Sequence, residues 1–223
     1  MSIKFYADPG SGSCRRVSAV IKYLNIDVDE IFIDLFAGEN LTEEFLEINP
    51  TGMVPVMVID NAQHEKIILS EAAAIMIFLC EQHGDTEIFP DDDSRMQILK
   101  WMFWAAEHFR QAAPIYFEEK LIAPFTGNKE NVSRLEEADR LIETHATILN
   151  SHLENRKFVV GDHVTLADFD LAAALSQMPR TKVPYNKFEN IMRWAAHLEN
   201  EVAVWRITGK TLNTRMNKAL RIS

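Results

Sequence analysis

The sequence predicts a mixed α/β domain that an acidic linker joins to an all-helical domain. Three observations support this prediction. Short β-branched and apolar runs alternate with helical patterns over residues 1–84. Residues 85–93 form an acidic stretch with a proline, which is typical of a linker. Residues 94–223 show helical periodicity and no convincing strand.

The first domain has the predicted order β-α-β-α-β-β-α. Its strands cover 3–7, 28–34, 54–60 and 66–69, and its helices cover 14–24, a short segment within 38–49, and 70–81. A helix joins the first two strands, so they should pair in parallel with a right-handed crossover. A turn at 61–63 should make the last two strands a hairpin. The result is a compact mixed sheet with helices on its faces.

The second domain is predicted as a helical bundle. The predicted helices cover 94–119, 131–153, 165–175 and 187–202. Thr165 and Asp168 stand in a capping-box relation at the start of the third of these helices.

Composition limits the partners. With 47% apolar and 25% charged residues, the 223-residue chain is predicted to be globular. Its net charge of −10 argues against nucleic acid or an anionic membrane, since both need a basic face. Two cysteines, no secretory pattern and no apolar run of about 20 residues favour a cytoplasmic protein. The histidines and cysteines lack metal-ligand spacing, so no metal is predicted.

Residues 49–58 combine a turn with the start of a buried strand. Asn49-Pro50 and Thr51-Gly52 are turn formers, and Pro55 stands where the strand should begin. The pattern by itself fits an ordinary trans proline. A cis Val54–Pro55 bond would instead turn the N–H and C=O of Val54 outward, ready to pair with an extended peptide.

Four segments together identify a family. They are PGSGSCRRV at 9–17, FLEINPTGMVP at 45–55, SEAAAI at 70–75 and VVGDHVTLAD at 159–168. In this order and spacing the chain resembles the cytosolic glutathione S-transferases over nearly its full length. The resemblance implies a thioredoxin-like first domain, a helical second domain, glutathione as co-substrate, a homodimer and a cis bond before Pro55.

Glutathione must become a thiolate to attack an electrophile, and a free thiol with a pKa of about 8.5 is little ionised at neutral pH. A helix N-terminus and a hydroxyl donor would stabilise that anion. The serine motif, which looks bacterial and theta- or delta-like, implies Ser11 for this role. Ser13 is the competing hydroxyl and a natural N-cap for a helix beginning at Cys14. Cys14 is a third candidate, as in relatives that form mixed disulfides.

The resemblance also implies which residues bind glutathione. These are Asn40, Met53, Val54, Pro55, Ser70, Glu71 and Ala72. Val54 should pair with the tripeptide backbone. The γ-glutamyl carboxylate should lie on the helix start after Ser70 and its ammonium on Glu71; both residues also fit a plain helix cap. Ala72, Gly52 and Met53 stand where many relatives have polar donors, and Asn40 could substitute weakly.

The second substrate should be a small apolar electrophile, bound between the turn at 10–13 and the first helix of the second domain. The candidate pocket residues are Trp104, His108, Phe109 and Tyr116, with Trp101 nearby, although aromatic residues at helical spacing are more often core. Conjugation of glutathione is the predicted activity. The alternatives are dehalogenation or isomerisation at the same site, a disulfide reductase using Cys14, and a non-catalytic interaction module.

Overall fold

A computed structural model of the chain describes residues 2–60, 66–84 and 86–221. The chain divides into two compact units. The first comprises Met1–Gly84 together with Ile207–Ser223, and the second comprises Asp85–Arg206. The first division of the chain lies after Gly84. Residues from Ile207 onward belong to the first unit, whereas the sequence predicts them in the helical domain.

The first unit contains a four-stranded mixed sheet. Its strands are β1 Ser2–Ala7, β2 Asp29–Phe32, β3 Val56–Asp60 and β4 Lys66–Leu69, in the order β2-β1-β3-β4. β1 pairs in parallel with β2 and antiparallel with β3, and β3 pairs antiparallel with β4. This confirms the predicted fold class. The predicted turn at 61–63 lies outside the described residues.

Helices complete the first unit. They are α1 Gly12–Tyr23, α2 Glu43–Ile48, α3 Ala72–His83 and, from Ile207 onward, the helix Ala203–Leu220, which is α11 in chain order. α1 packs against α3. α1 turns an apolar face into the core, since Val17, Val20 and Ile21 are all buried.

The register of the sheet brings several loops to one edge. Tyr6 near the end of β1 lies opposite Val56, the first residue of β3. Leu69, the last residue of β4, lies opposite Met57. The turn after β1, the peptide before β3 and the start of α3 therefore meet at the same edge of the sheet, and the loop after β2 joins them because β2 runs parallel to β1.

The second unit is all-helical among its described residues. Its helices are α4 Ser94–Glu107, α5 Ala112–Phe117, α6 Ala123–Phe125, α7 Val132–His152, α8 Leu166–Ala172, α9 Met178–Thr181 and α10 Glu189–Glu201. α4 packs against α8, and α7 packs against α5 and α10. Trp194, Tyr185 and Phe169 are among the largest fully buried side chains.

The prediction of one helix over 94–119 is wrong. α4 ends at Glu107, and a 3₁₀ turn at Phe109–Gln111 separates it from α5. Pro114 explains the break: it has no N–H to donate to the carbonyl of Arg110, and its ring would clash with that carbonyl in a continuous helix.

The predicted linker packs into the second unit. Ile88 and Phe89 are buried, and the carbonyl of Ile88 accepts a hydrogen bond from the N–H of Leu166 at 3.0 Å. The segment 86–93 is therefore part of that unit rather than a loose connection; Asp85 lies outside the described residues. Across the described ranges, no helix is both long and apolar enough to cross a membrane.

Candidate active site

Ser11 lies at the N-terminus of α1. It is the N-cap residue, and its Oγ accepts a hydrogen bond from the N–H of Cys14 at 3.4 Å. Its own N–H donates to the carbonyl of Asp8 at 2.9 Å, which closes the turn. The prediction that Ser13 caps this helix is wrong, because the helix begins at Gly12 and Ser13 lies inside its first turn.

Cys14 points into the protein. Its side chain is fully buried, and burial raises the pKa of the thiol to about 12. The hydrogen bond from Ser11 and the one from Asp8 lower this pKa but do not offset the burial. Cys14 is therefore a protonated, inaccessible thiol in this fold, which weighs against the disulfide-reductase alternative.

The Val54–Pro55 peptide bond is cis, as the family resemblance implies. The loop before it is held by two amide side chains. Asn49 Nδ2 donates to the carbonyl of Met53, and Asn40 Nδ2 donates to the carbonyl of Gly52, both at 2.8 Å. Gly52 has φ of +66°, and a Cβ there would lie 3.3 Å from the side chain of Leu41. Asn40 thus supports the loop with one of its two amide hydrogens.

Glu71 has an unusual backbone conformation. Its φ is +66° and its ψ is 109°, a region that a non-glycine residue rarely adopts. Such residues cluster at ligand-binding sites. Glu71 is the N-cap residue of α3, yet no side chain forms a cap hydrogen bond at this helix start. The alternative in which Ser70 is the N-cap and Glu71 a first-turn acid is therefore wrong, because Glu71 itself takes the N-cap position.

The four predicted pocket residues fall into two groups in the second unit. Phe109 and Tyr116 are 2% and 7% exposed, and the hydroxyl of Tyr116 donates to Asp139 at 2.5 Å, so packing explains both side chains. Trp104 is half-buried and His108 is exposed. Trp101 is buried against Trp104.

Sequence reasoning misses three charged residues near Ser11. Asp8, Asp34 and Arg215 form an ion-pair cluster in the first unit. Arg215 lies 207 residues from Asp8 along the chain, so no local pattern reveals the pairing. The helix itself has a signal, because Trp205, Thr208, Leu212 and Met216 are buried at helical spacing. Among the residues that the structure describes, no group of three or more His, Cys, Asp or Glu could hold a metal.

Known proteins share both units. The model of the N-terminal domain of glutathione S-transferase matches residues 10–82, and that of the C-terminal domain matches residues 105–201. A thioredoxin-like domain followed by an all-helical domain is the domain order that defines this class of protein. The chain belongs to the cytosolic glutathione S-transferase family.

Solved structures show the same fold at low identity. Human glutathione S-transferase T1-1 in its apo form has a TM-score of 0.85 and 21% identity, over 99% of this chain and 91% of that one. Glutathione transferase F7 from Populus trichocarpa has a TM-score of 0.83 and 20% identity, over 95% of this chain and 99% of that one. A glutathione transferase family member from Pseudomonas fluorescens was solved with two glutathione molecules bound. It has a TM-score of 0.81 and 18% identity, over 93% of this chain and 92% of that one.

Proposed function

We propose that the protein is a glutathione transferase in which the Ser11 hydroxyl stabilises the glutathione thiolate. The register of the sheet is the observation that supports this most strongly. It gathers the turn of Ser11, the cis peptide of Val54 and the strained Glu71 along one edge. β4 lies two strand spacings from β1, about 10 Å. An extended tripeptide spans about the same length.

The sulfur would lie at the start of α1. The Ser11 oxygen accepts from the N–H of Cys14, and its hydroxyl also lies within hydrogen-bonding reach of the Cys14 thiol. When glutathione binds, this hydroxyl would turn its hydrogen to the sulfur anion instead. The partial positive charge of the helix N-terminus favours the same anion. No acidic residue stands in the first turn of α1 to oppose it. Ser13 and Cys14 lack this combination, since Ser11 occupies the cap and Cys14 is buried.

The γ-glutamyl end would lie at the start of α3. The first-turn N–H groups there, including that of Ala72, have no cap side chain and suit a carboxylate. Glu71 would accept the ammonium group, and Ser70 would contribute its hydroxyl. The cysteinyl backbone would pair with Val54 beside Pro55. Among the described residues at the glycyl end, Asn40 has a second amide hydrogen to donate, whereas the N–H and the carbonyl of Met53 are already hydrogen-bonded within the loop. We therefore expect modest affinity for glutathione.

The reaction would be conjugation. The thiolate sulfur forms a bond to an electrophilic carbon, and the leaving group departs with its electron pair. We propose a small apolar electrophile, with Trp104 and His108 as the pocket residues that remain accessible. We also propose a cytoplasmic location, in keeping with two free cysteine thiols.

Ultraviolet titration of bound glutathione tests the proposed function. We expect the pKa of the bound thiol to fall at least one unit below that of free glutathione, because the site stabilises the anion. If bound glutathione keeps the ordinary pKa of its thiol, the protein does not activate that thiol and is a glutathione carrier instead. If the protein fails to bind immobilised glutathione, the transferase assignment is overturned in favour of an interaction module.

A homodimer is the second expected property, which the family resemblance implies. Met96 and Phe103 are 66% and 65% exposed and stand seven residues apart on α4, so they share one apolar face. We propose that a second copy covers this face. Sedimentation velocity should give twice the 25.5 kDa chain mass. Phe103→Asp should yield monomers, whereas Phe125→Asp, at an exposed residue of α6, should not. A monomeric wild type would refute the assembly.

A further inference from the structure

Arg215 of α11 binds two carboxylates of the first unit. Its Nε lies 3.0 Å from Asp8 Oδ1, and its Nη2 lies 3.0 Å from Asp8 Oδ2, which is bidentate geometry. The same Nη2 lies 2.6 Å from Asp34 Oδ1. The guanidinium also stands over the rings of Phe32 and Phe36, at 5.0 and 5.4 Å from their centroids. Contacts on several sides fix its position.

Asp8 accepts the hydrogen bonds that hold the backbone turn before α1, where Ser11 lies. Its Oδ1 accepts from the N–H of Gly10 at 2.8 Å, and its carbonyl accepts from the N–H of Ser11 at 2.9 Å. Its Oδ2 accepts from the N–H of Leu35 at 3.3 Å. Asp8 is only 1% exposed. Its carboxylate is therefore a buried charge directly beside the proposed thiolate site.

A buried negative charge at this place would oppose a second anion. The charge of Asp8 already reaches the start of α1, where it adds to the effect of burial in raising the pKa of the Cys14 thiol. Arg215 and Asp34 are the other two charged members of the cluster that contains Asp8. The remaining buried charges of α1 are Arg15 and Arg16. The bidentate pair with Arg215 is therefore the compensation that the structure shows for the Asp8 carboxylate.

The helix that presents Arg215 also packs on the turn itself. A Cβ added to Gly10 would lie 2.7 Å from Met216 Sδ and 3.2 Å from Arg215 Cγ. Met216 is 1% exposed. The close approach leaves no room for a side chain at position 10, so α11 is seated against the backbone next to Ser11.

We propose that Arg215 is a positioning residue for glutathione activation, which compensates the Asp8 carboxylate and holds the Ser11 turn in its anion-binding geometry. This inference rests on the proposed function. It adds a residue from the far end of the chain that contacts neither the sulfur nor the electrophile. Its effect reaches the thiolate through Asp8, Gly10 and the N–H groups of the turn.

Arg215→Met keeps the apolar stem and removes the charge. With the carboxylate of Asp8 left uncompensated, we expect the pKa of the bound glutathione thiol to rise by about one unit. At pH 7 kcat should fall about tenfold and recover at higher pH, with little change in the KM for glutathione. Arg215→Lys should restore part of the loss. A purely structural role would lower stability without moving the pH profile.

Two further variants separate the explanations. Asp34→Asn disturbs another contact of Arg215 but leaves the Asp8 pair and the turn in place, so the thiol pKa should stay at the wild-type value. The double variant Asp8→Asn with Arg215→Met removes both charges and keeps an oxygen for the N–H of Gly10. It should return the thiol pKa to within a few tenths of wild type, and it provides the test if Arg215→Met alone does not fold.

The outcomes distinguish this inference from the proposed function. If wild-type protein shows no lowered thiol pKa, the proposed function fails, and this inference fails with it. If wild type shows the lowered value and Arg215→Met keeps it, only the role of Arg215 is overturned. An equal rise in Asp34→Asn, or no recovery in the double variant, would show that Arg215 does not act by compensating Asp8.

Discussion

Ser11→Ala should raise the pKa of the bound glutathione thiol by one unit or more and lower kcat/KM by about 10- to 100-fold at pH 7. The variant removes the hydroxyl that we propose as the donor to the sulfur. It also removes the acceptor for the N–H of Cys14, although that contact is long at 3.4 Å. Ultraviolet titration of bound glutathione and steady-state kinetics with a general electrophile measure the two effects.

Two matched variants make this result specific. Ser13→Ala removes the hydroxyl inside the first turn, and Cys14→Ala removes the buried thiol. Both should keep the wild-type thiol pKa and most of the activity. A loss confined to Ser13→Ala would move the donor to that residue. A loss confined to Cys14→Ala would overturn the hydroxyl mechanism in favour of thiol chemistry.

Asp168→Asn should destabilise the second unit by about 3 kcal/mol. Oδ1 of Asp168 accepts from the N–H of Val159 at 2.9 Å and from Trp194 Nε1 at 2.8 Å. Oδ2 accepts from the N–H and the hydroxyl of Thr165 at 2.9 and 3.1 Å. An asparagine would turn its NH₂ group toward one of these donor pairs. Because the side chain is fully buried, water cannot take the place of the lost acceptor.

Urea unfolding at pH 8 measures this loss. Burial raises the pKa of Asp168 to about 6, although its four hydrogen-bond donors lower it, so the carboxylate is ionised at pH 8. All four tryptophans lie between residues 85 and 206, so their fluorescence reports on the second unit. Asp162→Asn makes the same change at an exposed position of the preceding loop and should change stability by less than about 0.5 kcal/mol. Equal stability of Asp168→Asn and wild type would contradict the network.

Local patterns in the sequence are sufficient to predict most of the fold. β4 at Lys66–Leu69 and α7, which is capped by Asn131, agree with the predicted residues to within one position. The helix predicted over 94–119 fails because apolar spacing continues through Pro114, which a continuous helix cannot accommodate. Spacing reports which face is buried, whereas a single missing N–H decides whether the helix continues.

The site is predictable only in part. The turn at Ser11 and the peptide at Pro55 have local sequence signatures, and the structure places both at one edge of the sheet. The ion pair of Asp8 with Arg215 has no local sequence signature, because it depends on how the last helix returns to the first unit. The φ of +66° at Glu71 is likewise invisible in a sequence that offers no glycine there.

The first unit is built from two separate stretches of chain, and this has a consequence for its synthesis. The ribosome completes residues 1–84 long before it reaches Ile207, so the sheet, α1 and the cis peptide segment emerge without the helix that holds Arg215. During that interval Asp8 lacks its bidentate partner Arg215. The nascent domain therefore acquires its full set of charges only after the whole second unit has been translated. An isolated N-terminal fragment would remain permanently at that earlier stage.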